Sequence, residues 1–295
     1  MTLLTGSLVT TDWLQHHLGS DGLMVIDIRG YVKSKPVGDT GQQLADYLPA
    51  TDEYLAGHIP GAVFIDWTTD ITDPDDPVKA QLAPPDRFRE AMESRGIGDE
   101  TDVVVVDHAG GHFATRMWWD LRYYGHDRVA VLDGGFNKWA AEGKPTTEVV
   151  PSPAPATFTP IVPDPSKRAT VDDIAKATQD GGLRIVDARD AKTFSGEVWR
   201  GARAGHIPTA INMPSADLFN ADGTWKSIDD LTEVIVAAGI DPTVKTAAYC
   251  NGGVTATAVL FALDRTGNAN WTNYDGSWNE WSEREDLPVE TGSES

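Results

Sequence analysis

The sequence predicts an α/β protein of two similar domains, each a mostly parallel β-sheet with helices on both faces. Short apolar runs alternate with helical patterns along the whole chain, which is typical of crossover units that pair strands in parallel. Landmarks of the first half recur in the second half in the same order, which indicates an internal duplication. Closely spaced prolines follow residue 150 and can continue neither a helix nor a central strand. We therefore place the domains at residues 1–148 and 167–295, joined by an extended linker at 149–166.

The duplication rests on four pairs of landmarks. These are an apolar run ending in Asp-x-Arg, a Gly-His-Ile-Pro turn, a strand with a polar or thiol residue at its end, and an Asp-Gly turn followed by tryptophan. The pairs are 23–29 with 183–189, 57–62 with 205–210, 103–107 with 244–250, and 133–139 with 275–281. The intervals agree as well, since Asp107 and Asp133 are 26 residues apart and Cys250 and Asp275 are 25 apart. Chance does not readily produce four ordered pairs.

Hydrophobic periodicity places the main strands and helices in chain order. In the first half it predicts strands over 23–29 and 103–107 and helices over 85–95 and 114–124. In the second half it predicts strands over 183–189 and 244–249 and helices over 171–179, 228–238 and 256–263. In sheets of this type, ligands bind beyond the carboxyl ends of the strands, which is where Cys250 falls.

Composition excludes several classes of protein. The chain has 295 residues, 40% of them hydrophobic and 10 of them Trp, which is ample for two packed cores. The formal net charge of −21, without a basic stripe, argues against nucleic-acid or anionic-membrane partners. Residues 1–18 lack a basic start and a continuous apolar run, so we expect no signal peptide, no membrane span and a cytoplasmic location. A single cysteine excludes an intrachain disulfide framework.

Cys250, the only cysteine, lies between a predicted strand and a predicted helix and is followed by Asn251, Gly252 and Gly253. Backbone N–H groups at such a junction can converge on an anion, and their dipoles favour the thiolate form of a cysteine. The alternative is a small buried hydrophobic side chain, which is the usual role of a lone cysteine. The remainder of the chain favours the reactive interpretation.

Three motifs resemble the two-domain rhodanese-type sulfurtransferases, the family of the thiosulfate and 3-mercaptopyruvate sulfurtransferases. They are the paired Gly-His-Ile-Pro turns, Tyr-Cys-x-x-Gly-Val-Thr-Ala at 249–256 and Tyr-Asp-Gly-Ser-Trp-x-Glu-Trp at 274–281. The resemblance extends from about residue 8 to residue 289. It implies that the C-terminal domain is catalytic, that the N-terminal domain is a non-catalytic copy, and that the site lies at their interface. Asp107 holds the cysteine position of the copy, and a carboxylate cannot form a persulfide.

The resemblance also implies a cysteine persulfide intermediate, and the chemistry of the residues agrees with it. The Cys250 thiolate would attack the outer sulfur of a small anionic donor and then pass that sulfur to cyanide, a thiol or a protein, in a ping-pong reaction. Backbone N–H groups of the loop would hold the persulfide, so we expect neither a metal nor an organic cofactor. The expected binding residues of the loop are Asn251, Gly252, Gly253, Val254 and Thr255. The Thr255 hydroxyl has two open interpretations, a donor to the bound anion or a helix cap.

Arg189 and Arg200 are the leading candidates for binding the anionic donor, with Arg203 close to the second of them. Arg189 ends the Asp-x-Arg motif of its strand, and a structural ion pair is the alternative interpretation for it. In the family, a second arginine follows four residues later, where this chain has Thr193. The usual pair of donor-binding arginines is therefore incomplete here.

The resemblance implies 3-mercaptopyruvate in preference to thiosulfate as the donor, because family members that favour thiosulfate carry basic side chains in the loop, and this loop has no charged side chain. The resemblance to the mercaptopyruvate branch is imperfect, because the loop serine of that branch is replaced here by Gly252. The proton relay proposed for that serine is then missing, and Thr255 is the candidate substitute.

Other functions are less well supported by the residues. The related tyrosine phosphatases use a Cys-x5-Arg loop, but the sixth residue after Cys250 is Ala256, so the phosphate-binding arginine is absent. A module that carries persulfide for a partner enzyme without turnover of its own is an open alternative.

The histidines have mainly structural interpretations. His108 and His112 flank Asp107 at a spacing that suits a metal, but a third clear ligand is missing, which favours ordinary polar loop residues. His58 and His206 belong to the repeated Gly-His-Ile-Pro turns, where we expect hydrogen bonds to the backbone. For His58, the resemblance adds the alternative of a contact with the catalytic loop.

Overall fold

A computed structural model shows two domains with the same architecture, packed against each other through helices. The structure describes residues 2–108, 110–160, 163–241 and 243–292. The ends of the predicted domains at Met1 and 293–295, and residues 161–162 of the predicted linker, lie outside the described part of the chain.

The elements of each domain follow in chain order. Those of the N-terminal domain are β1 (Leu8–Val9), α1 (Thr11–His17), β2 (Leu23–Asp27), β3 (Gly30–Pro36), β4 (Gln43–Pro49), α2 (Thr51–Ala56), β5 (Val63–Phe64), α3 (Pro85–Glu93), β6 (Asp102–Val106), α4 (His112–Tyr123), β7 (Val129–Leu132) and α5 (Gly135–Ala141). Those of the C-terminal domain are β8 (Arg168–Ala169), α6 (Val171–Asp180), β9 (Arg184–Asp187), α7 (Ala191–Ser195), β10 (Ile211–Asn212), α8 (Ile228–Ala237), β11 (Thr246–Tyr249), α9 (Ala256–Arg265), β12 (Trp271–Tyr274) and α10 (Ser277–Trp281).

The two main sheets have equivalent strand orders, β1-β7-β6-β2-β5 and β8-β12-β11-β9-β10, and all pairings within them are parallel. Helices cover both faces, because side chains of the central strand β6 alternate between two buried layers. Val103 and Val105 pack with α3 and α4, whereas Val104 and Val106 pack with α1 and α5. This layered arrangement confirms the predicted α/β fold of two duplicated domains.

The long helices that periodicity predicts are present, with ends within two residues of the expected ones. The antiparallel hairpin β3–β4 was not predicted, because its strands are mostly polar and partly exposed and so lack a clear alternation. The hairpin reaches the other domain: the Gln43 N–H donates to the Trp199 carbonyl at 2.8 Å, and the Trp199 N–H donates to the Gly41 carbonyl at 3.1 Å. None of the described helices has the length and apolar character that a bilayer crossing requires.

The domains share an apolar core between α4 and α9. Trp118 of α4 packs edge-on against Phe261 of α9, with ring centroids 5.1 Å apart. The hydroxyls of Thr115 and Thr257, which stand at nearly matching positions of the two helices, meet at 3.0 Å. The two copies therefore face each other with approximate two-fold symmetry.

The Asp-Gly turns follow the same symmetry. The Asp133 carboxylate accepts the backbone N–H of Trp225 at 2.8 Å, and the Asp275 carboxylate accepts the backbone N–H of Leu82 at 3.0 Å. Each repeated aspartate thus binds the backbone of the opposite domain, which explains why the motif occurs in both halves.

The segment between the domains is packed along the N-terminal domain. Residues 150–160 carry no helix or strand, as their prolines predict. The Ala156 N–H donates to the Glu93 carbonyl at 3.1 Å, and buried Phe158 packs edge-on against Phe88. The described part of this segment therefore adds to the core of the first domain.

The position of Arg189 does not support its predicted role in donor binding. Its guanidinium is buried in the C-terminal domain, where Nε and Nη2 contact the Asp187 carboxylate at 2.5–3.0 Å. Nη2 also donates to the Gly205 carbonyl at 2.9 Å, and the group lies over the Trp278 ring. These buried contacts within one domain favour the alternative interpretation, a structural ion pair.

The N-terminal domain repeats this arrangement without any cysteine nearby in sequence. Arg29 contacts Asp27 at 2.9–3.1 Å and donates to the Gly57 carbonyl at 2.7 Å. Because a copy with aspartate in place of the cysteine keeps the same contacts, the Asp-x-Arg motif joins the end of a strand to the following Gly-His-Ile-Pro turn. Its function is structural.

The turn histidines are structural too. Both are fully buried, and the Nδ1 atoms of His58 and His206 hydrogen-bond the carbonyls of Tyr54 and Phe194, each at 2.8 Å. Each imidazole also stacks on the ring of that same partner. Nε2 of His58 contacts the Val149 carbonyl at 3.1 Å, so this histidine does not make the alternative contact with the Cys250 loop.

Arg189→Met should lower the free energy of unfolding by about 3–5 kcal/mol, because it leaves Asp187 as a buried unpaired charge. Denaturant unfolding measures the change. Arg284→Met, which breaks an exposed pair with Asp286, is the matched control and should cost less than about 1 kcal/mol. A selective loss of donor affinity at unchanged stability would restore the donor-binding role of Arg189.

Candidate active site

Cys250 directly follows β11, so the strand carries its backbone to the carboxyl end of the sheet, and its side chain is 3% exposed. Its N–H donates to the Ser277 hydroxyl at 3.2 Å, and its carbonyl accepts the Trp278 N–H at 3.1 Å. The Asn251 carbonyl accepts the Asn279 N–H at 2.8 Å. The start of the loop is thus fixed to the first turn of α10.

The loop leaves the backbone N–H groups of residues 251–256 without an acceptor among the described residues. The next amide, that of Thr257, donates to the Val254 carbonyl at 3.2 Å. Gly253 turns the chain with a φ of +72°, in the left-handed region that favours glycine. Unpaired N–H groups in succession beside a buried thiol can bind an anionic sulfur without help from a charged side chain.

The N-terminal copy has a carboxylate in the equivalent loop. Asp107 takes the place of Cys250, and its Oδ2 accepts the backbone N–H groups of Phe113 and Ala114 at 3.1 and 3.2 Å. Burial raises the pKa of the Asp107 carboxyl, and these N–H groups oppose that shift. In the N-terminal domain, backbone N–H groups of the equivalent loop therefore hold a buried acidic side chain.

A buried ion-pair network holds the loop from behind and crosses the domain interface. Arg116 of α4 donates to the Gly253 carbonyl at 3.2 Å and pairs with Asp275 of the other domain. Asp275 also pairs with Arg168 at 3.0 Å, and Arg116 lies 3.0 Å from Asp120. Arg116 was not predicted from the sequence, because helical periodicity does not reveal that a buried arginine reaches another domain.

A cleft of about 570 Å³ opens between hairpin β3–β4 and the C-terminal domain. Half-buried Arg200 and exposed Lys79 give it positive charge, and Arg200 donates to the Ser34 hydroxyl at 2.5 Å. Tyr47 and Asn279 line the cleft and also lie against the loop, since a Cβ built on Gly252 would meet both. Apolar walls are added by Leu44, Pro77, Val78 and Ala202.

The structure brings only some of the predicted site residues together. Arg200 lines the cleft together with Lys79, which sequence reasoning did not select, and Tyr47 and Asn279 connect this cleft to Gly252 of the loop. Thr255 stands at the N-terminus of α9 without a side-chain capping bond, which does not support the cap interpretation. Arg203 is engaged elsewhere, because it donates to the carbonyls of Trp281, Ser282, Arg284 and Leu287 at 2.7–2.9 Å.

The loop histidines of the N-terminal domain have separate environments. His108 contacts Glu53 at 2.8 Å, and His112 packs edge-on against Phe219. Burial lowers the pKa of His112 to about 4, so this imidazole is neutral near pH 7. Within the described residues, no three His, Cys, Asp or Glu side chains form a group that could hold a metal ion.

A profile of the rhodanese-like domain matches residues 10–142 and, separately, residues 170–284. The chain belongs to the rhodanese-like family. Among relatives of this rhodanese-like protein is the 3-mercaptopyruvate sulfurtransferase of Escherichia coli K12, 33% identical over 285 residues, which cover 96% of this chain and 97% of the relative. A provisionally named thiosulfate sulfurtransferase of Haloferax volcanii is 33% identical over 297 residues, with 97% and 96% coverage.

Solved structures agree with the assignment. SseA from Escherichia coli, described as a 3-mercaptopyruvate enzyme of the rhodanese fold, superposes with a TM-score of 0.80 at 31% identity over 93% of this chain and 99% of that one. EanB, solved in complex with ergothioneine, has a TM-score of 0.82 at 25% identity over 97% of this chain and 70% of that one. The rhodanese-like protein described here is an enzyme of the sulfurtransferase class.

Gly253→Ala should reduce turnover more than about tenfold, because its Cβ would lie 2.7 Å from the Asp275 carbonyl oxygen and displace the loop. Gly143→Ala is the matched control, since Gly143 has a similar φ of +68° but open space around its Cβ. Both variants place an alanine at a positive φ, which costs roughly 1–2 kcal/mol of backbone strain. Steady-state kinetics and thermal unfolding separate the effects, and equal losses of activity would remove loop geometry as the cause.

Proposed function

We propose that the protein moves a sulfane sulfur from a small anionic donor to a thiophilic acceptor through a persulfide on Cys250. The observation that carries this proposal is the succession of unpaired N–H groups in residues 251–256 beside a buried thiol. The Asp107 carboxylate in the equivalent loop supports it, because that loop already holds an acidic group on backbone N–H groups.

In the first half of the reaction, the Cys250 sulfur attacks the outer sulfur of the donor. A new S–S bond forms, and the bond that held this sulfur in the donor breaks with its electron pair leaving on the donor fragment. The N–H groups of the loop stabilise the anionic persulfide. In the second half, cyanide, a thiol or a protein thiolate attacks the terminal sulfur and regenerates the Cys250 thiolate, which is a ping-pong sequence.

The donor that we propose is 3-mercaptopyruvate in preference to thiosulfate. Arg200 presents a guanidinium that can hold one carboxylate in a bidentate pair, and Lys79 adds a second positive charge. The apolar walls at Leu44 and Val78 suit the carbon skeleton of an organic acid better than a compact inorganic dianion. The loop itself offers no cation to thiosulfate.

The site does not favour phosphate-ester hydrolysis. Ala256 stands where a phosphatase loop carries its arginine. Arg116 does contact the loop, but it donates to the Gly253 carbonyl. It therefore does not lie on the side of the loop where the backbone N–H groups would bind an anion.

Incubation with donor and no acceptor should add one sulfur atom to the protein, on Cys250, because the persulfide has no route onward. Intact-mass and peptide mass spectrometry locate the added atom. Cys250→Ser should gain no sulfur and lose turnover while keeping its thermal unfolding midpoint. Sulfur transfer by the serine variant contradicts the mechanism, whereas persulfide formation in the wild type without cyanide turnover indicates a carrier.

Arg200→Met should lower the specificity constant for the donor by about tenfold or more, since a charge-assisted hydrogen bond is worth roughly 1.5–3 kcal/mol. The constant for cyanide should change less. Lys192→Met is the control, because it removes an exposed charge that pairs with Glu197 outside the cleft. Parallel steady-state assays with both donors test the role of Arg200 and the donor preference together, and a higher constant for thiosulfate contradicts that preference.

A further inference from the structure

The Tyr47 hydroxyl comes from the domain without a cysteine, yet it lies against the Cys250 loop. Asn279 Nδ2 donates to the Tyr47 oxygen at 3.2 Å. A Cβ built on Gly252 would stand 3.2 Å from the same oxygen and 2.9 Å from Asn279 Nδ2. Gly252 therefore leaves the space into which the two polar groups of Tyr47 and Asn279 reach.

The hydrogen of the Tyr47 hydroxyl is not used within the protein. The oxygen accepts the bond from Asn279, but it donates to no acceptor found in the described residues. Burial raises the pKa of Tyr47 above its ordinary value, and a charge on Cys250 adds to this, whereas the hydrogen bond from Asn279 and the charge of Arg200 oppose it. The phenol is therefore protonated at neutral pH and lines the cleft with a free donor.

The position of Tyr47 is fixed by the surrounding structure. Its ring packs against Trp67 with centroids 5.3 Å apart. Hairpin β3–β4, which carries Tyr47, is joined to the C-terminal domain by the backbone bonds of Gly41 and Gln43 to Trp199. Because these contacts already fix the Tyr47 side chain, it loses little conformational freedom when it contacts a ligand.

Other hydroxyls near the loop are less suited to a ligand. Ser277 accepts the Cys250 N–H and donates to the Tyr274 carbonyl at 2.8 Å, so both of its functions are occupied. Thr255 has a hydroxyl without a capping bond and is the competing candidate.

The proposed donor requires a proton transfer that thiosulfate does not. When the Cys250 thiolate takes the sulfur of 3-mercaptopyruvate, an S–S bond forms and the C–S bond breaks. The electron pair goes to carbon as the enolate of pyruvate, and the proton of the donor's S–H must move to that carbon. With thiosulfate, the S–S bond of the donor breaks and sulfite leaves with the electron pair, so no proton moves.

We propose that the Tyr47 hydroxyl is the proton relay of this site. It donates its hydrogen to the carbon of the departing enolate and takes the proton from the transferred S–H, so the phenol is restored in the same half-reaction. The proposal rests on the persulfide function proposed above and adds to it a catalytic residue from the non-catalytic copy. Gly252 is then the loop residue that admits the relay.

The test compares Tyr47→Phe with the wild type on both donors, using cyanide as acceptor. Loss of the relay should lower kcat with 3-mercaptopyruvate by about 100-fold, within the usual range for general acid–base catalysis, and change kcat with thiosulfate less than about threefold. Tyr31→Phe is the matched control, because it removes a hydroxyl of the same hairpin that bonds Glu53. Thr255→Val tests the competing hydroxyl in the same assays.

Three results overturn the relay. They are an equal loss with both donors, which indicates a structural role; no loss with 3-mercaptopyruvate; and a wild type that does not use 3-mercaptopyruvate. A selective loss in Thr255→Val instead of Tyr47→Phe assigns the relay to Thr255. Tyr47→Phe should still form a persulfide on Cys250 when it is incubated with thiosulfate, and mass spectrometry detects the added sulfur. This measurement distinguishes a failure of the relay from a failure of the persulfide function itself.

Discussion

The ion pair between Arg116 and Asp275, buried across the domain interface, is the interaction on which the site depends. Arg116 also donates to the Gly253 carbonyl, so one side chain ties the docking of the domains to the geometry of the Cys250 loop. Breaking a buried pair of this kind costs about 3–5 kcal/mol, because the remaining charge is left without a partner. The docking of the two domains and the conformation of the Cys250 loop are therefore coupled.

The duplication explains both the symmetry of the interface and where it fails. Asp133 and Asp275 each bind the backbone of the opposite domain, and both strand ends keep the Asp-x-Arg contact. The copies differ at the start of the loop, where one has the carboxyl group of Asp107 and the other the thiol of Cys250. They differ also in hairpin β3–β4 of the N-terminal copy, which bonds Trp199 and places Tyr47 beside Gly252 of the other copy.

Sequence patterns were sufficient for the features that one segment determines. The strand, Cys250 and the glycine-containing turn are contiguous, so their order predicted the loop correctly. The two interpretations of Arg189 stayed open at the level of sequence, because an Asp-x-Arg motif looks the same whether its guanidinium faces a donor or the interior. Arg116 and Tyr47 were missed, because each reaches the loop from the other domain and no spacing along the chain records that contact.

Hairpin β3–β4 has an evolutionary consequence. The Cys250 loop is folded within the C-terminal domain, whereas part of the wall of the neighbouring cleft belongs to a hairpin of the N-terminal domain. Mutations in this hairpin can alter which molecules enter the cleft without changing the local folding of the Cys250 loop. Gene duplication thus left the N-terminal half able to diversify the cleft wall, while the C-terminal half keeps the loop that carries the cysteine.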